Sequence, residues 1–379
     1  MRQKVLTIVQ DIGRAQEHEW VVKYINPNLV EMHFALINSQ DSMMDQFLRN
    51  NNIPVTHFSY TGKKDLLTLT FKLIRLIQKN RYDVVHTHLF EASLTGLTAA
   101  WAAGVKKRIY TRHHSDYHHV WFPSAVKYDK YVNRIASHII ATSKNVKNIL
   151  TNLEQVPEHK IHIVHHCIDI RDYEPGAVSP ERISTIRVKY KIEDKVPVIG
   201  VISRFTKWKG IQYLIPAFHE ILNRYPEAVL VLANAKGDYK ANIVEQLKSL
   251  KPDQYRVIEF ENDITALYRT FDVFVHTPIN PTAEAFGQTY LESLASKVPS
   301  VFTLSGVAPE FVVDKINAMV VPFCDSNAVK EAVLYLLQHK EEGKKLSEEG
   351  FVAVRKLFDI KIKIGKLEQL YTGFDGSVN

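Results

Sequence analysis

Cysteine is nearly absent from this chain of 379 residues: Cys167 and Cys324 are the only two, far apart and without C-x-x-C or metal-ligand spacing. That excludes a disulfide framework, gives no sign of a zinc site and fits a reducing compartment. No apolar run approaches the roughly 20 residues that a bilayer-spanning helix needs. The opening stretch MRQKVLTIVQDIGRAQ loses its apolar character after positions 5–9, which predicts a first strand and not a signal peptide. A Walker loop is missing, and so is G-x-G-x-x-G after the first strand, which argues against ATP or dinucleotide chemistry. No internal repeat or low-complexity tract interrupts the chain.

What is present is ordinary in bulk and uneven in charge. Apolar residues make up 45% and charged residues 23%, as in globular proteins, and the length exceeds what one hydrophobic core usually serves. The formal charge is +7. Residues 1–190 hold 25 Lys+Arg against 17 Asp+Glu, whereas the remainder holds 23 against 24. The excess is steepest over 101–150, with nine basic and two acidic residues, among them Lys106, Lys107, Arg108 and Arg112. Any single lysine reads as a solvated side chain, but the asymmetry suggests that the first half meets something anionic, such as a phospholipid headgroup or a diphosphate-linked acceptor.

Short β-branched runs alternate with longer helical patterns. KVLTIV, VEMHFALI, PVTHFSY, DVVHTH, RIYT, HIIAT and KIHIV predict strands in the first half, with a helix over 65–79 as a representative crossover. The stretch 168–195, with two prolines, many charges and little periodicity, reads as an interdomain linker. The rhythm then restarts with VPVIGVIS, AVLVLA, RVIEF, DVFVHT, PSVFTL and AMVVPF, and helices are predicted over 211–223 and 327–338. Two successive α/β units with parallel sheets follow from this alternation. A final amphipathic segment, IKIGKLEQLYTGF, is expected to pack back on the first unit.

The most informative stretch is Glu284-Ala285-Phe286-Gly287-Gln288-Thr289-Tyr290-Leu291-Glu292, after the strand DVFVHT and opening a helix that runs to about Ser296. Loops at the carboxyl ends of parallel strands, and the helix starts that follow, bind phosphate through outward N–H groups and the helix dipole. Gly287 lets backbone approach closely. Taking the helix from Glu284 puts Glu292 about two turns along. Two carboxylates so separated can accept hydrogen bonds from two polyols flanking a diphosphate, a hexose and a ribose.

EAFGQTYLE resembles the E-x7-E motif of the family-four retaining glycosyltransferases, in the form E-x-F-G-x-x-x-x-E. Ser203-Arg204-Phe205-Thr206-Lys207-Trp208-Lys209-Gly210 is similar to the family's arginine–lysine–glycine loop, which implies that Arg204 and Lys209 hold the donor diphosphate. Fixed cations there stabilise the negative charge of the leaving group without metal. Asp83-Val84-Val85-His86-Thr87-His88 resembles the family's H-x-H strand end and Thr111-Arg112-His113 its T-x-H, which implies that His113 lies near the donor sugar. A neutral imidazole there would donate to a hydroxyl or to the leaving group and titrate in a useful range. His118 and His119 stay unassigned; a metal site among them lacks a carboxylate or cysteine partner at ligand spacing. Ala141-Thr142-Ser143, KIHIVHHCID over 160–169 and Gly306-Val307-Ala308-Pro309-Glu310 extend the resemblance over most of the chain. The glycine pair expected after the first strand is reduced to Gly13, whose N–H alone would meet the phosphate. No aspartates stand as D-x-D, the motif of the other major glycosyltransferase architecture.

The resemblance implies the GT-B fold, two Rossmann-like domains facing each other across a cleft. The expected domains are an acceptor-side one over 1–183, with a helix over 361–379 packed on it, and a nucleotide-sugar-binding one over 190–360. The expected activity is metal-independent retaining transfer of a hexosyl-type sugar from a nucleotide-diphosphate donor to a glycan or lipid-linked acceptor, in surface polysaccharide or glycolipid biosynthesis. The resemblance assigns catalysis to His113, Glu284, Arg204 and Lys209. Donor binding falls to Gly13, Arg204, Lys209, Glu284, Phe286, Gly287, Gln288 and Glu292. No cofactor, metal or nucleic acid is expected. The location implied is cytoplasmic, peripheral on the inner face of the plasma membrane. Alternatives are a nucleotide-sugar 2-epimerase of the same fold and a non-catalytic nucleotide-sugar-binding homologue.

Overall fold

The structure, a computed structural model, describes residues 2–174 and 176–373. The chain divides into two compact units. The first takes the chain as far as Cys167 and again from Ile360; the second is Ile168–Asp359.

In the first unit the strands are β1 (Gln3–Gln10), β2 (Val30–Ile37), β3 (Val55–Phe58), β4 (Val84–His88), β5 (Lys107–Arg112), β6 (His138–Ala141) and β7 (Ile161–Ile163). They pair in parallel in the order β3-β2-β1-β4-β5-β6-β7. Alternation along β1 sends Val5 and Val9 into one apolar cluster and Leu6 and Ile8 into another, so both sheet faces are covered. Helix Leu66–Asn80 matches the periodic segment at 65–79. Helix Ile360–Thr372 packs Ile360, Ile364, Leu367 and Tyr371 into the first of these clusters. The rest of the expected C-terminal helix, 374–379, lies outside the described residues.

The second unit carries β8 (Val198–Ile202), β9 (Val229–Ala233), β10 (Tyr255–Ile258), β11 (Val273–His276), β12 (Ser300–Phe302) and β13 (Met319–Val320), parallel in the order β10-β9-β8-β11-β12-β13. Both sheets therefore reverse their strand order once, between β1 and β4 and between β8 and β11. The carboxyl ends of strands at such a reversal are where α/β proteins bind ligands.

The expected linker at 168–195 is structured and belongs to the second unit. Ser179 caps helix Pro180–Lys189, and Pro180 at its first position costs nothing because that N–H has no partner within the helix. The charges that suggested solvent are paired: Arg182 forks onto Asp263 at 2.8 and 2.6 Å, and Lys189 reaches Glu261 at 2.6 Å. Ile168, Ile170, Tyr173, Ile186 and Ile192 are buried. The chain passes between the units twice, at 167–168 and at 359–360, in place of a single linker.

Candidate active site

The loop after β8 and the loop after β11 lock together. The Trp208 carbonyl accepts from the N–H of Ile279 at 3.1 Å. Gly210 turns the chain at φ 77°, with the Thr277 carbonyl oxygen 1.8 Å from where its Cβ would be, so no side chain fits there. This packing delivers Lys209 to Glu284: Nζ stands 2.5 Å from Oε1. His276, the last residue of β11, puts Nε2 3.0 Å from the same oxygen, and the Glu284 N–H donates to Ser305 Oγ at 3.0 Å. Glu284 is buried. Burial alone would raise its pKa, but the Lys209 cation and the His276 hydrogen bond outweigh it and hold the carboxyl down at about 2. His276 is pushed down by burial, against the pull of Glu284, so at neutral pH its Nε2–H donates to the carboxylate.

Glu284 precedes the helix instead of starting it. The helix is Gln288–Ala295, and Gly287 at φ 93° forms its N-cap. Glu292 thus lies just over one turn in, not two turns beyond Glu284. A Cβ at Gly287 would meet the Tyr290 ring at 2.6 Å, so this position too is closed to side chains. Phe286 is buried against Phe358 and its carbonyl accepts from the Val307 N–H at 2.9 Å, which seats the 305–307 loop beside Glu284. Gln288 begins the helix. Glu292 accepts from Tyr268 Oη at 2.9 Å. Burial raises its pKa to about 7, with the tyrosine hydrogen bond pulling it back only in part. Arg204 is exposed, on a loop tied down by the buried Phe205, whose N–H donates to the Lys236 carbonyl at 2.9 Å. Among the described residues its guanidinium has no hydrogen-bond or ion-pair partner.

In the first unit, His113 follows β5 directly. Its Nε2 lies 3.0 Å from His88 Nδ1, and its ring stacks on His166 with centroids 5.4 Å apart. Burial, helped by the neighbouring His166, holds the His113 pKa well below the ordinary histidine value. The ring is neutral at physiological pH, and the expectation that it titrates in a useful range is corrected. Gly13 sits in the exposed turn after β1, its carbonyl accepting from Met44 N–H at 3.1 Å, and a Cβ there would meet open space. Nothing local demands glycine at that position.

Sequence reasoning missed several partners. Thr7, His86, His88 and Thr111 form a buried polar row on adjoining strands: His86 bonds Thr111 Oγ1 and Tyr371 Oη, each at 2.7 Å. Glu17 joins His166 and Lys363, residues 149 and 346 positions away. The H-x-H and T-x-H motifs had marked His86, His88 and Thr111 without their partners, and only its strand-end placement hinted at a role for His276. A second cluster joins Arg112, Asp129 and Glu154 to three histidines.

Comparison with known proteins agrees with this geometry. Residues 182–352 match the family described as Glycosyl transferases group 1, and residues 36–172 match Glycosyltransferase Family 4. The chain is 26% identical over 271 residues to the alpha-monoglucosyldiacylglycerol synthase of Streptococcus pneumoniae, a match covering 68% of this chain and 59% of that one. It is 25% identical over 366 residues to the capsular polysaccharide biosynthesis glycosyltransferase CapM of Staphylococcus aureus, covering 87% and 92%. The crystal structure of Anabaena Alr3699/HepE in complex with UDP and glucose superposes with a TM-score of 0.84 at 20% identity, over 98% of this chain and all of that one (100%). With two parallel Rossmann-like sheets and family matches over both units, the chain belongs to the family-four, group 1 glycosyltransferases of the GT-B fold.

Proposed function

We propose that this glycosyltransferase moves a hexosyl-type sugar from a nucleotide-diphosphate donor to a glycan or lipid-linked acceptor, with retention of anomeric configuration. The Lys209–Glu284 pair at the strand reversal of the second sheet carries this reading. Lys209 and the unpartnered Arg204 neutralise the diphosphate as it leaves, which gives the leaving group its counter-charge without a metal. Glu284, ionised at any physiological pH, accepts from sugar hydroxyls, and Glu292 accepts from the ribose. The N–H groups of Phe286, Gly287 and Gln288 face the phosphate or sugar. Gly13 and His113 contribute from the first unit, His113 as a neutral donor to a hydroxyl or the leaving group. The acceptor attacks on the face the diphosphate leaves, and the departing phosphate oxygen takes its proton. Relatives named for diacylglycerol glucosylation and capsular polysaccharide synthesis support the acceptor class, and a similar structure that holds UDP and glucose supports the donor class.

Arg204→Ala tests the reading cleanly, because the fold does not use that side chain. In a thermal-shift screen of UDP and GDP sugars, wild type should be stabilised by its donor by about 2.7 kcal/mol at a hundredfold excess over Kd. The variant should unfold at the wild-type temperature without ligand yet need about ten- to a hundredfold more donor for the same shift, as for loss of a charged hydrogen bond. An unchanged donor response would remove Arg204 from the diphosphate site. Donor incubated alone should give no epimer; an epimer would favour the 2-epimerase.

The membrane part of the reading rests on the first unit's surface. Among the described residues, no helix is long and apolar enough to cross a membrane. Trp101, Trp121, Phe122, Tyr128 and Tyr131 are exposed all the same, and the exposed Lys106, Lys127 and Lys130 accompany them. Tyr131 Oη lies 3.1 Å from Thr98 Oγ1 and Tyr128 packs edge-on against Phe90, so helices Phe90–Ala102 and Val126–Ile135 present one continuous surface. Aromatic rings beside lysines suit the headgroup layer of an anionic leaflet, here the cytoplasmic face of the plasma membrane. The protein should sediment with vesicles containing phosphatidylglycerol and much less with neutral ones. Lys127→Gln and Lys130→Gln should each weaken binding about fivefold, at about 1 kcal/mol per lysine. Absence of sedimentation at low and high salt alike would refute this docking.

A further inference from the structure

A second cluster of side chains, with no part in the donor site, converges just past the end of β5. His114, two residues beyond the strand, brings Nε2 to 3.5 Å from Oδ1 of Asp129. His118, on the single turn Tyr117–Trp121, brings Nδ1 to 2.7 Å from Oδ2 of the same carboxylate. The two rings lie against each other, tilted by 50°, with centroids 4.1 Å apart. One nitrogen of each ring and one carboxylate oxygen all lie within 4.8 Å of one another.

We infer that His114, His118 and Asp129 form a binding site for a divalent transition-metal ion of the zinc type. Ligand atoms around tetrahedral zinc, bound at about 2.0–2.1 Å, stand about 3.3 Å apart, so small side-chain rotations close this set on an ion. Two imidazole nitrogens and one carboxylate oxygen select zinc, cobalt or nickel over magnesium and calcium. Three protein ligands leave a fourth position for water. The histidine side chains keep 23% and 12% of their surface exposed, while the carboxylate keeps 3%, so an ion has a path in and a fixed anchor behind it. Nδ1 of His114 is buried with no hydrogen-bond partner among the described residues, so that atom does not hold the ring in its present orientation.

Before any ion binds, the cluster holds two carboxylates against one guanidinium. Arg112, wholly buried, lies 3.3 Å from Asp129 and 2.5 Å from Glu154, so one guanidinium faces two carboxylates. Asn133 Nδ2 donates to Glu154 at 2.5 Å, and His119 Nε2 lies 3.1 Å from it, which fixes a second shell behind the ligands. A bound ion would tie the turn that carries His113 to helix Val126–Ile135, which carries Asp129. It would be a staple within the first unit. The cations assigned to the diphosphate, Arg204 and Lys209, belong to the second, so metal-independent transfer is unaffected.

The test is a titration of chelator-treated, full-length protein. Zinc in a calorimeter, and cobalt followed by its visible d–d absorption, should each bind with one high-affinity equivalent that magnesium does not displace. His118→Gln and the double variant His114→Gln/His118→Gln replace partly exposed rings with side chains that still donate to Asp129, and near-ultraviolet circular dichroism reports that they fold. They should lose affinity by at least about a hundredfold, as loss of a ligand exceeds the cost of losing a second-shell partner. Zinc should raise the wild-type unfolding temperature and leave that of the double variant unchanged. No binding of zinc or cobalt by wild type at tens of micromolar overturns the proposal. Equal affinity in the folded variants overturns it as well, because the ion then sits elsewhere among the chain's 17 histidines.

Discussion

Lys209→Met should lower kcat/KM by about a hundred- to a thousandfold, the usual cost of removing one fixed group that stabilises developing negative charge. Methionine keeps the apolar stem and deletes the cation. Two effects then need separating, because Lys209 also compensates a buried carboxylate. Glu284 has its pKa depressed to about 2, so its ionised state adds stability that is present above the unfolded value of about 4.5 and lost as pH falls through 2. At about 1.4 kcal/mol per pKa unit this is on the order of 3 kcal/mol, of which Lys209 supplies the largest favourable share. The variant should therefore be less stable at neutral pH, with the gap to wild type narrowing below pH 4.5. Glu284→Gln separates the two effects, since it removes the buried carboxylate and leaves Lys209, with 15% of its side chain exposed, able to turn its charge to solvent: it should lose less stability than Lys209→Met and still lose turnover. Because the two side chains act on one another, the double variant should fall short of the product of the single losses. Rates measured at saturating donor decide the matter. If Lys209→Met, still folded, kept wild-type kcat and KM, the diphosphate would have to be held by something else.

The parts of the molecule that were legible in the sequence are those whose signal is local. Each predicted strand is found, because a parallel strand buried on both faces reads as a short continuous apolar run rich in β-branched residues, as in β8 or β9. The two acids of E-x7-E were visible by spacing. The companions that fix their ionisation were less so: His276 sits eight residues before Glu284 and looks like any strand-end histidine, and Tyr268 reaches Glu292 from 24 residues away. Where pairing is non-local, periodicity is silent. Glu17 meets Lys363 across 346 residues, and Asp129 meets His118 from a different helix, which is why no carboxylate stood at ligand spacing to those histidines. The stretch 168–195 misled for a related reason. Prolines and charges look like a linker until Ser179 caps the helix and Asp263, 81 residues from Arg182, takes the charge.

Glu292 should make stability and donor affinity respond to pH in opposite directions. Its folded pKa, raised by burial to about 7, exceeds the unfolded value of about 4.5, so between the two the native state holds a proton that the unfolded chain has released. Stability from this group must then fall as pH rises from about 4.5 to 7 and level off above. The drop is at most about 3 kcal/mol at about 1.4 kcal/mol per unit, and less because the side chain is only partly buried. Donor binding asks for the ionised form, because the ribose hydroxyls need an acceptor, so wild-type affinity should climb through pH 7. Glu284 cannot mimic this trend, being ionised throughout, and a sugar nucleotide's diphosphate, esterified at both ends, has no proton to exchange near neutrality. Glu292→Gln removes the charge at similar size. It should flatten the dependence of unfolding temperature on pH and be more stable than wild type at pH 8, while binding donor about ten- to a hundredfold more weakly there. Unfolding scans and calorimetric titrations at pH 5.5, 6.5, 7.5 and 8.5 measure both. A residue with a purely structural role would move the first readout and leave the second alone. If the glutamine variant bound donor as tightly as wild type at pH 8.5, Glu292 would have no hold on the ribose.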